Sequence, residues 1–230
     1  MPETPRLAPP GFFDFARLDE DPGPEGFMKP HLPGARSQPR VESFEHPSDE
    51  STWIARSRAG DTRSYRLLVE RHRSRVYGLA LRILRSPADA EEVAQDAFVR
   101  AWLAIREFRG DSSFATWLYR ITARRALDRA AVLKSRRARE TTIEDADEAS
   151  MTTTPLHPGA RQLDGLLEAL SPPQRAVIAL FYFEDHPVQE IARALGMPDG
   201  TVKTHLSRAR AALRLEWNRR KRLEGSHEMS

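Results

Sequence analysis

Residues 188–213 read VQEIARALGMPDGTVKTHLSRARAAL. Ile191, Ala192 and Leu195 recur on one side of a first helix, and Gly196, a residue tolerant of positive φ, stands where that helix must end. Pro198 and Asp199 form the turn, and a second helix is predicted from near Thr201. Val202, Leu206 and Ala209 return at helical spacing and face inward. Lys203, Thr204, Ser207, Arg208 and Arg210 are then left facing outward. Their hydroxyl and cationic groups suit phosphates and base edges. The small Ala192 opposite Gly196 permits the close crossing of a helix-turn-helix. An ordinary helical hairpin with a solvated basic face would not require the turn, the small residues and the basic side to coincide.

The same period extends outward from this stretch. Upstream, Leu163, Leu166, Leu167 and Leu170 share a face. Ser171-Pro172-Pro173-Gln174 then supplies a cap, prolines at the helix start and Gln at the third helical position. Val177, Ile178, Leu180, Phe181 and Phe183 complete that core. Further back, from Ser51 to about Lys134, the pattern is helical again. Asp61 is placed to cap a helix whose stripe includes Tyr65, Leu68, Val69, Val76, Leu79 and Ile83, with His72 on it as a packing residue. Ser86-Pro87-Ala88-Asp89 starts another, and Ser112 or Ser113 caps a long helix packing through Phe114, Trp117, Leu118 and Ile121. No segment alternates as a half-buried strand would. The expected fold is all-α, with two helical domains joined by a flexible linker.

The predicted organisation is a disordered, Pro-rich tail over 1–48, a helical domain over 49–139, an acidic linker over 140–160, the helix-turn-helix domain over 161–216, and a basic, disordered tail over 217–230, its start extending the last helix. Ten of the 17 prolines fall within 1–48. There, Gly11-Phe12-Phe13-Asp14-Phe15 reads either as a short docking motif or as sequence upstream of a true start at Met28.

Charge is unevenly spread. The net +3 conceals eight Lys/Arg against one Asp in 117–139, and eight against one Glu in 200–222. Two basic segments on an otherwise acidic chain imply two contacts with a polyanion. The absence of cysteine excludes a disulfide framework and thiolate zinc sites. Asp89, Glu92 and Asp96 share one side of a helix. They form either a solvated acidic face or metal ligands, but no His-containing partner motif accompanies them. No Gly-rich phosphate loop or nucleophile motif occurs, so no enzymatic activity, metal or cofactor is expected. With no long apolar run and no signal-peptide core, a cytoplasmic protein is expected.

The two helical units together resemble an extracytoplasmic-function sigma factor of the sigma-70 family. DAEEVAQDAFVRAW (89–102) and FRGDSSFATWLYRI (108–121) are similar to the family's second region. LSPPQRAVIAL (170–180) with EIARALGMPDGTVKTHLSRAR (190–210) is similar to its fourth. The resemblance covers about residues 51–216 and implies a non-catalytic subunit that binds core RNA polymerase and helps to open promoter DNA. It implies docking on the polymerase β′ coiled coil through Asp89, Glu92, Val93, Gln95, Asp96 and Phe98, with further contacts to the β subunit. It assigns Thr201, Lys203, Thr204, Ser207 and Arg208 to the −35 element. Tyr119, Arg120, Arg124, Arg125 and Arg129 are assigned to the −10 element and capture of its opened strand, with Tyr119 preferred to Trp117 as the stacking ring.

Many members of the family carry Asn where this chain has Arg124. Arginine accepts no hydrogen bond, so either the −10 preference is unusual or neighbouring residues form the pocket. An anti-sigma partner, commonly membrane-anchored, is a further implication, and would hold the protein near the membrane. The competing reading is a response-regulator-type helix-turn-helix factor that acts without replacing sigma. It fits Gly200–Leu206 but leaves the first half unexplained.

Overall fold

The computed structural model describes residues 47–140 and 166–227. The expectations for the N-terminal tail before residue 47, for most of the acidic linker and for the last three residues lie outside them. Seven α-helices are described: α1 (Pro47–Arg58), α2 (Thr62–Leu84), α3 (Pro87–Ala104), α4 (Phe114–Glu140), α5 (Pro172–Ile178), α6 (Val188–Leu195) and α7 (Asp199–His227). A 3-10 turn over Ile105–Glu107 follows α3, and a π-helical segment over Ala179–Phe183 follows α5. Among the described residues there is no strand, and the all-α expectation holds.

The helix starts follow local chemistry. Asp61 accepts from the Arg63 N–H at 2.9 Å and from the Ser64 hydroxyl at 2.7 Å. The Ser64 hydroxyl, followed by that N–H, holds the Asp61 carboxyl below its usual range. Ser86 accepts from the Asp89 N–H at 3.3 Å, ahead of Pro87 in the first turn. Of the two serines proposed for α4, Ser113 makes the cap, accepting from the Thr116 N–H at 3.0 Å. At α5, the Ser171 N–H donates to the Gln174 Oε1 at 2.8 Å, completing a capping box. The stops are equally local. Gly60 and Gly196 take φ of +96° and +65°, a region that costs glycine nothing.

Residues 47–140 and 170–209 belong to one compact unit, and 166–169 and 210–227 to another. In the first, α2 is central, packing on α1, α3, α4 and α5, while α4 packs on α6. Leu68, Val76, Leu79, Ala80 and Ile83 of α2 are fully buried, as are Ala97 and Ala101 of α3 and Leu118 of α4. His72 is the packing residue expected of it. It is buried, its ring lies 5.4 Å from that of Phe114, and its Nε2 sits 3.1 Å from the Glu50 carboxylate. Phe108, Phe114 and Trp117 form an aromatic cluster at the start of α4, with centroids 5.3–5.8 Å apart.

In the π-helical segment the Glu184 N–H reaches back five residues to the Ala179 carbonyl at 3.2 Å. This widens the helix by one residue before the turn into α6.

Candidate nucleic-acid interface

The helix-turn-helix forms as its residues require. The Gly196 N–H bonds to the Ala192 carbonyl, as does the Met197 N–H at 2.9 Å. The Thr201 N–H donates to the Pro198 carbonyl at 2.9 Å, so α7 begins at Asp199, two residues before the expected Thr201. Val202, Leu206 and Ala209 are fully buried, against a set that includes Ile191 and Ala192. Thr201, Lys203, Thr204, Ser207 and Arg208 all face solvent, and His205 is half-buried. Thr204 also donates its hydroxyl to the Gly200 carbonyl at 2.8 Å, which fixes its rotamer. The outcome is a rigid helix whose exposed side offers hydroxyl donors and two cations.

The residues assigned to strand capture are distributed differently. Tyr119 is buried, only 3% exposed, which corrects its reading as the accessible stacking ring. Burial pushes its hydroxyl up to about 12, with the nearby Glu184 carboxylate adding to the effect. Trp117, assigned to the core, is instead half-buried. The reason is helical phase: two residues advance about 200° around a helix, so the pair cannot share a face, and the side of Tyr119 meets the π-helical turn and His186.

Arg120 is half-buried, with its Nε lacking an acceptor. Arg124 donates from Nε to the Ala194 carbonyl at 2.6 Å and from Nη2 to the Arg193 carbonyl at 2.9 Å. Arg125 pairs with Asp96 at 2.5 Å and Asp128 at 3.1 Å. Arg129 pairs with Asp89 at 2.7 Å and Glu92 at 2.9 Å.

The acidic side of α3 therefore faces α4. Asp96 also binds Arg100 at 2.9 Å. Partial burial pushes the Asp96 and Asp89 carboxyls up, but hydrogen bonds from Arg100 and Arg125, and from Ser86 and Arg129, outweigh it and hold both below the usual range. Gln95 is exposed and reaches Glu91 at 3.5 Å. Val93 is core, 5% exposed, so its side chain is withdrawn from the surface assigned to it. Phe98 is half-buried, and its carbonyl accepts the Tyr65 hydroxyl at 2.6 Å. Val99 and Leu103, which the sequence reading passed over, are exposed on the same helix. Their i, i+4 spacing was a readable signal. The α3–α4 ion pairs had no such signal, since their partners lie 29 to 40 residues apart. Among the described residues no cluster of His, Asp and Glu is arranged to hold a metal.

The chain is similar to known proteins over both of these helical regions. The family profile described as Sigma-70 region 2 matches residues 68–138, and that described as Sigma-70 region 4 matches residues 160–213. The RNA polymerase sigma-H factor of Pseudomonas aeruginosa is 32% identical over 176 residues, covering 70% of this chain and 89% of that one. The extracytoplasmic-function sigma-E factor of Escherichia coli is 33% identical over 174 residues, covering 70% and 90%. A solved structure of CnrH, in complex with the cytosolic domain of CnrY, shares 26% identity at a TM-score of 0.52 and covers 74% and 97%. A response-regulator-type factor would account for α6 and α7 alone. Both sigma regions, in order and on one helical chain, assign the protein to the extracytoplasmic-function branch of the sigma-70 family: it is an RNA polymerase sigma factor, the subunit that brings core polymerase to promoter DNA.

Proposed function

We propose that the described helices divide promoter reading and polymerase docking among three surfaces. The exposed side of α7 reads the −35 element through Thr201, Lys203, Thr204, Ser207 and Arg208. The observation that carries this assignment is that all five face solvent while Val202, Leu206 and Ala209 on the same helix are fully buried. Lys203 and Arg208 lie about one and a half turns apart, within reach of the same groove. A bidentate Arg–guanine pair contributes about 1–3 kcal/mol of discrimination.

Arg120, Arg124, Arg125 and Arg129, spread around α4 rather than set on one face, meet the −10 element together with Tyr119, which is buried in this structure. Extruding a base costs a few kcal/mol, which stacking and cationic contacts offset. Asp89, Glu92, Gln95, Asp96 and Phe98 on α3 dock on the polymerase β′ coiled coil, with Val93 supporting that helix from beneath. The β subunit supplies the other contact.

The protein acts as an alternative sigma factor, responsive to stress or another signal. It makes and breaks no covalent bond itself; nucleotide addition belongs to the polymerase. No helix among the described residues is long and apolar enough to cross a membrane, in keeping with a protein that works in the cytoplasm. An anti-sigma partner holds it inactive; the structural relative CnrH was itself solved in complex with another protein, the cytosolic domain of CnrY. The domain limits follow the same division: 49–139 for docking and the −10 element, and 161–216 for the −35 element.

Reconstitution tests the reading. Run-off transcription from a cognate promoter is expected only when this chain is added to core polymerase. Tight promoter binding by the chain alone, without any complex with core polymerase, would overturn it.

A further inference from the structure

Several arginines of the helical bundle are already engaged. The Arg82 guanidinium lies over the Phe183 ring, 4.2 Å from its centroid. Arg124 donates to the Ala194 carbonyl at 2.6 Å, and Arg175 to the Ile83 carbonyl at 2.7 Å. Arg125 and Arg129 hold the carboxylates of α3. Arg58, Arg106 and Arg109 differ. All three are exposed, and among the described residues their guanidiniums make no hydrogen bond or ion pair.

These three arginines meet in one place. α1 packs on α2 and on the 3-10 turn, and a shallow groove runs beside it. Ala55 and Arg58 belong to both halves of the groove. Arg106 lines one half, and Ile54, Phe108 and Arg109 line the other. No carboxylate lines either half. Like charges gathered without a counter-charge raise the local potential and draw an anion.

The floor decides which kind of anion fits. Single-stranded nucleic acid binds where its bases find aromatic faces to stack on. The one ring in this groove, Phe108, is only 8% exposed, because it packs on Phe114 and Trp117. The rest of the floor is aliphatic, from Ile54 and Ala55. An aliphatic floor under a rim of guanidiniums suits an acidic peptide that carries apolar side chains between its carboxylates.

The chain carries such a peptide. Residues 12–21 read FFDFARLDED, with three phenylalanines, one leucine and four carboxylates against one arginine. They include the stretch read above as a short docking motif, and they lie outside the described residues. Residues 22–46, which join them to α1, can span about 80 Å when fully extended. The 12 residues of α1 measure about 18 Å, so every point of the groove is within reach.

We propose that residues 12–21 dock in this groove, with their phenylalanines on Ile54, Ala55 and Phe108 and their carboxylates against Arg58, Arg106 and Arg109. The segment is tethered, which gives it an effective concentration of about 1 mM. A peptide that binds in trans with a Kd of about 0.1 mM is then docked in about nine chains of ten. The inference does not depend on which helices meet promoter DNA.

The test uses full-length chains and a fluorescein-labelled synthetic peptide of residues 11–25, with binding read by anisotropy. One chain is the wild type. A second carries Phe12→Ser, Phe13→Ser and Phe15→Ser, which leaves the groove to the added peptide. It is expected to bind the peptide about tenfold more tightly than the wild type, whose groove is filled by its own segment. Adding Arg58→Glu and Arg106→Glu to the second chain is expected to abolish binding, and a peptide carrying Asp19→Lys and Glu20→Lys to restore it. An unfolded bundle would not give that rescue by opposite charge. Circular dichroism checks the helices, and Arg109→Glu replaces the double change should it unfold the bundle. Equal peptide affinity in the first two chains overturns the proposal, as does binding indifferent to the three arginines. A labelled oligothymidylate that binds through Arg58 and Arg106 where the peptide does not also overturns it, and gives the groove to nucleic acid.

Discussion

Asp89 and Arg129, 40 residues apart in the chain, hold each other at 2.7 Å and tie α3 to α4. The pair joins a carboxylate assigned to polymerase with a guanidinium assigned to DNA. Asp96 and Arg125 repeat the arrangement two turns along. The docking face and the strand face therefore share a ladder of charges, and a substitution on one changes the electrostatics of the other. In a double-mutant cycle of Asp89→Asn and Arg129→Gln, urea denaturation is expected to give a coupling of about 0.5–1 kcal/mol, since both groups are partly exposed and screened. Additive effects would show that the pair contributes nothing to holding the helices together.

The ladder also dictates how docking must be probed. Asp96→Arg would gather a third cation beside Arg100 and Arg125 and disturb the fold as well as the surface. Asp96→Asn keeps the shape and removes only the charge. It is expected to weaken binding to core polymerase about fivefold, corresponding to about 1 kcal/mol for one exposed ion pair, with little change in thermal unfolding. Equal affinity by a competition assay would remove Asp96 from the docking surface.

Glu184 gives a pH signature. Its folded carboxyl is raised, first by burial, against the pull of Arg82, Arg75 and Tyr119. The folded state therefore holds this proton more tightly than the unfolded chain. The contribution is fully present below the ordinary glutamate range and is lost as pH rises through the folded value. His72 works the other way, because burial lowers it despite Glu50. The comparison of wild type with Glu184→Gln isolates the first effect. The stability difference in favour of Gln is expected to grow from pH 4 to pH 7, read by thermal melts. A difference independent of pH would show that Glu184 titrates as a solvated residue.

On α7 the prediction concerns salt. Lys203→Ala is expected to weaken binding of the reconstituted holoenzyme to its promoter. If the ammonium meets a phosphate, the log–log salt slope falls by about 1 and all upstream sequences suffer alike. If it reads a base, about 1–3 kcal/mol of discrimination is lost at one position. An unaltered promoter profile and an unaltered slope would remove Lys203 from the −35 surface.

Most of the fold was legible in the sequence because its determinants are local. Asp61, Ser86, Ser171 and Gly196 each act within four residues of themselves, and the α2 stripe repeats at the helical period. Lys203, Thr204, Ser207 and Arg208 of α7 were legible for the same reason, since knowing which positions are buried fixes the rest, although Arg210, read as outward with them, is half-buried. The α4 assignments were harder. The helix is 27 residues long and meets other helices on more than one side, so a single period does not tell which of Trp117 and Tyr119 is covered. The roles of Arg124, Arg175 and the α3–α4 pairs depend on partners 29 to 92 residues away, and no spacing rule reaches that far.

The widened turn at Ala179–Phe183 carries a last consequence. Each residue advances a helix by about 100°, so deleting any one residue in this segment would restore a regular helix while rotating everything beyond it by that angle. Phe183 would then swing off the Arg82 guanidinium, and α6 would leave its position beneath Arg124. The number of residues here matters more than their identity. Related chains should tolerate exchange of one aromatic for another between 179 and 183, yet show no insertion or deletion there.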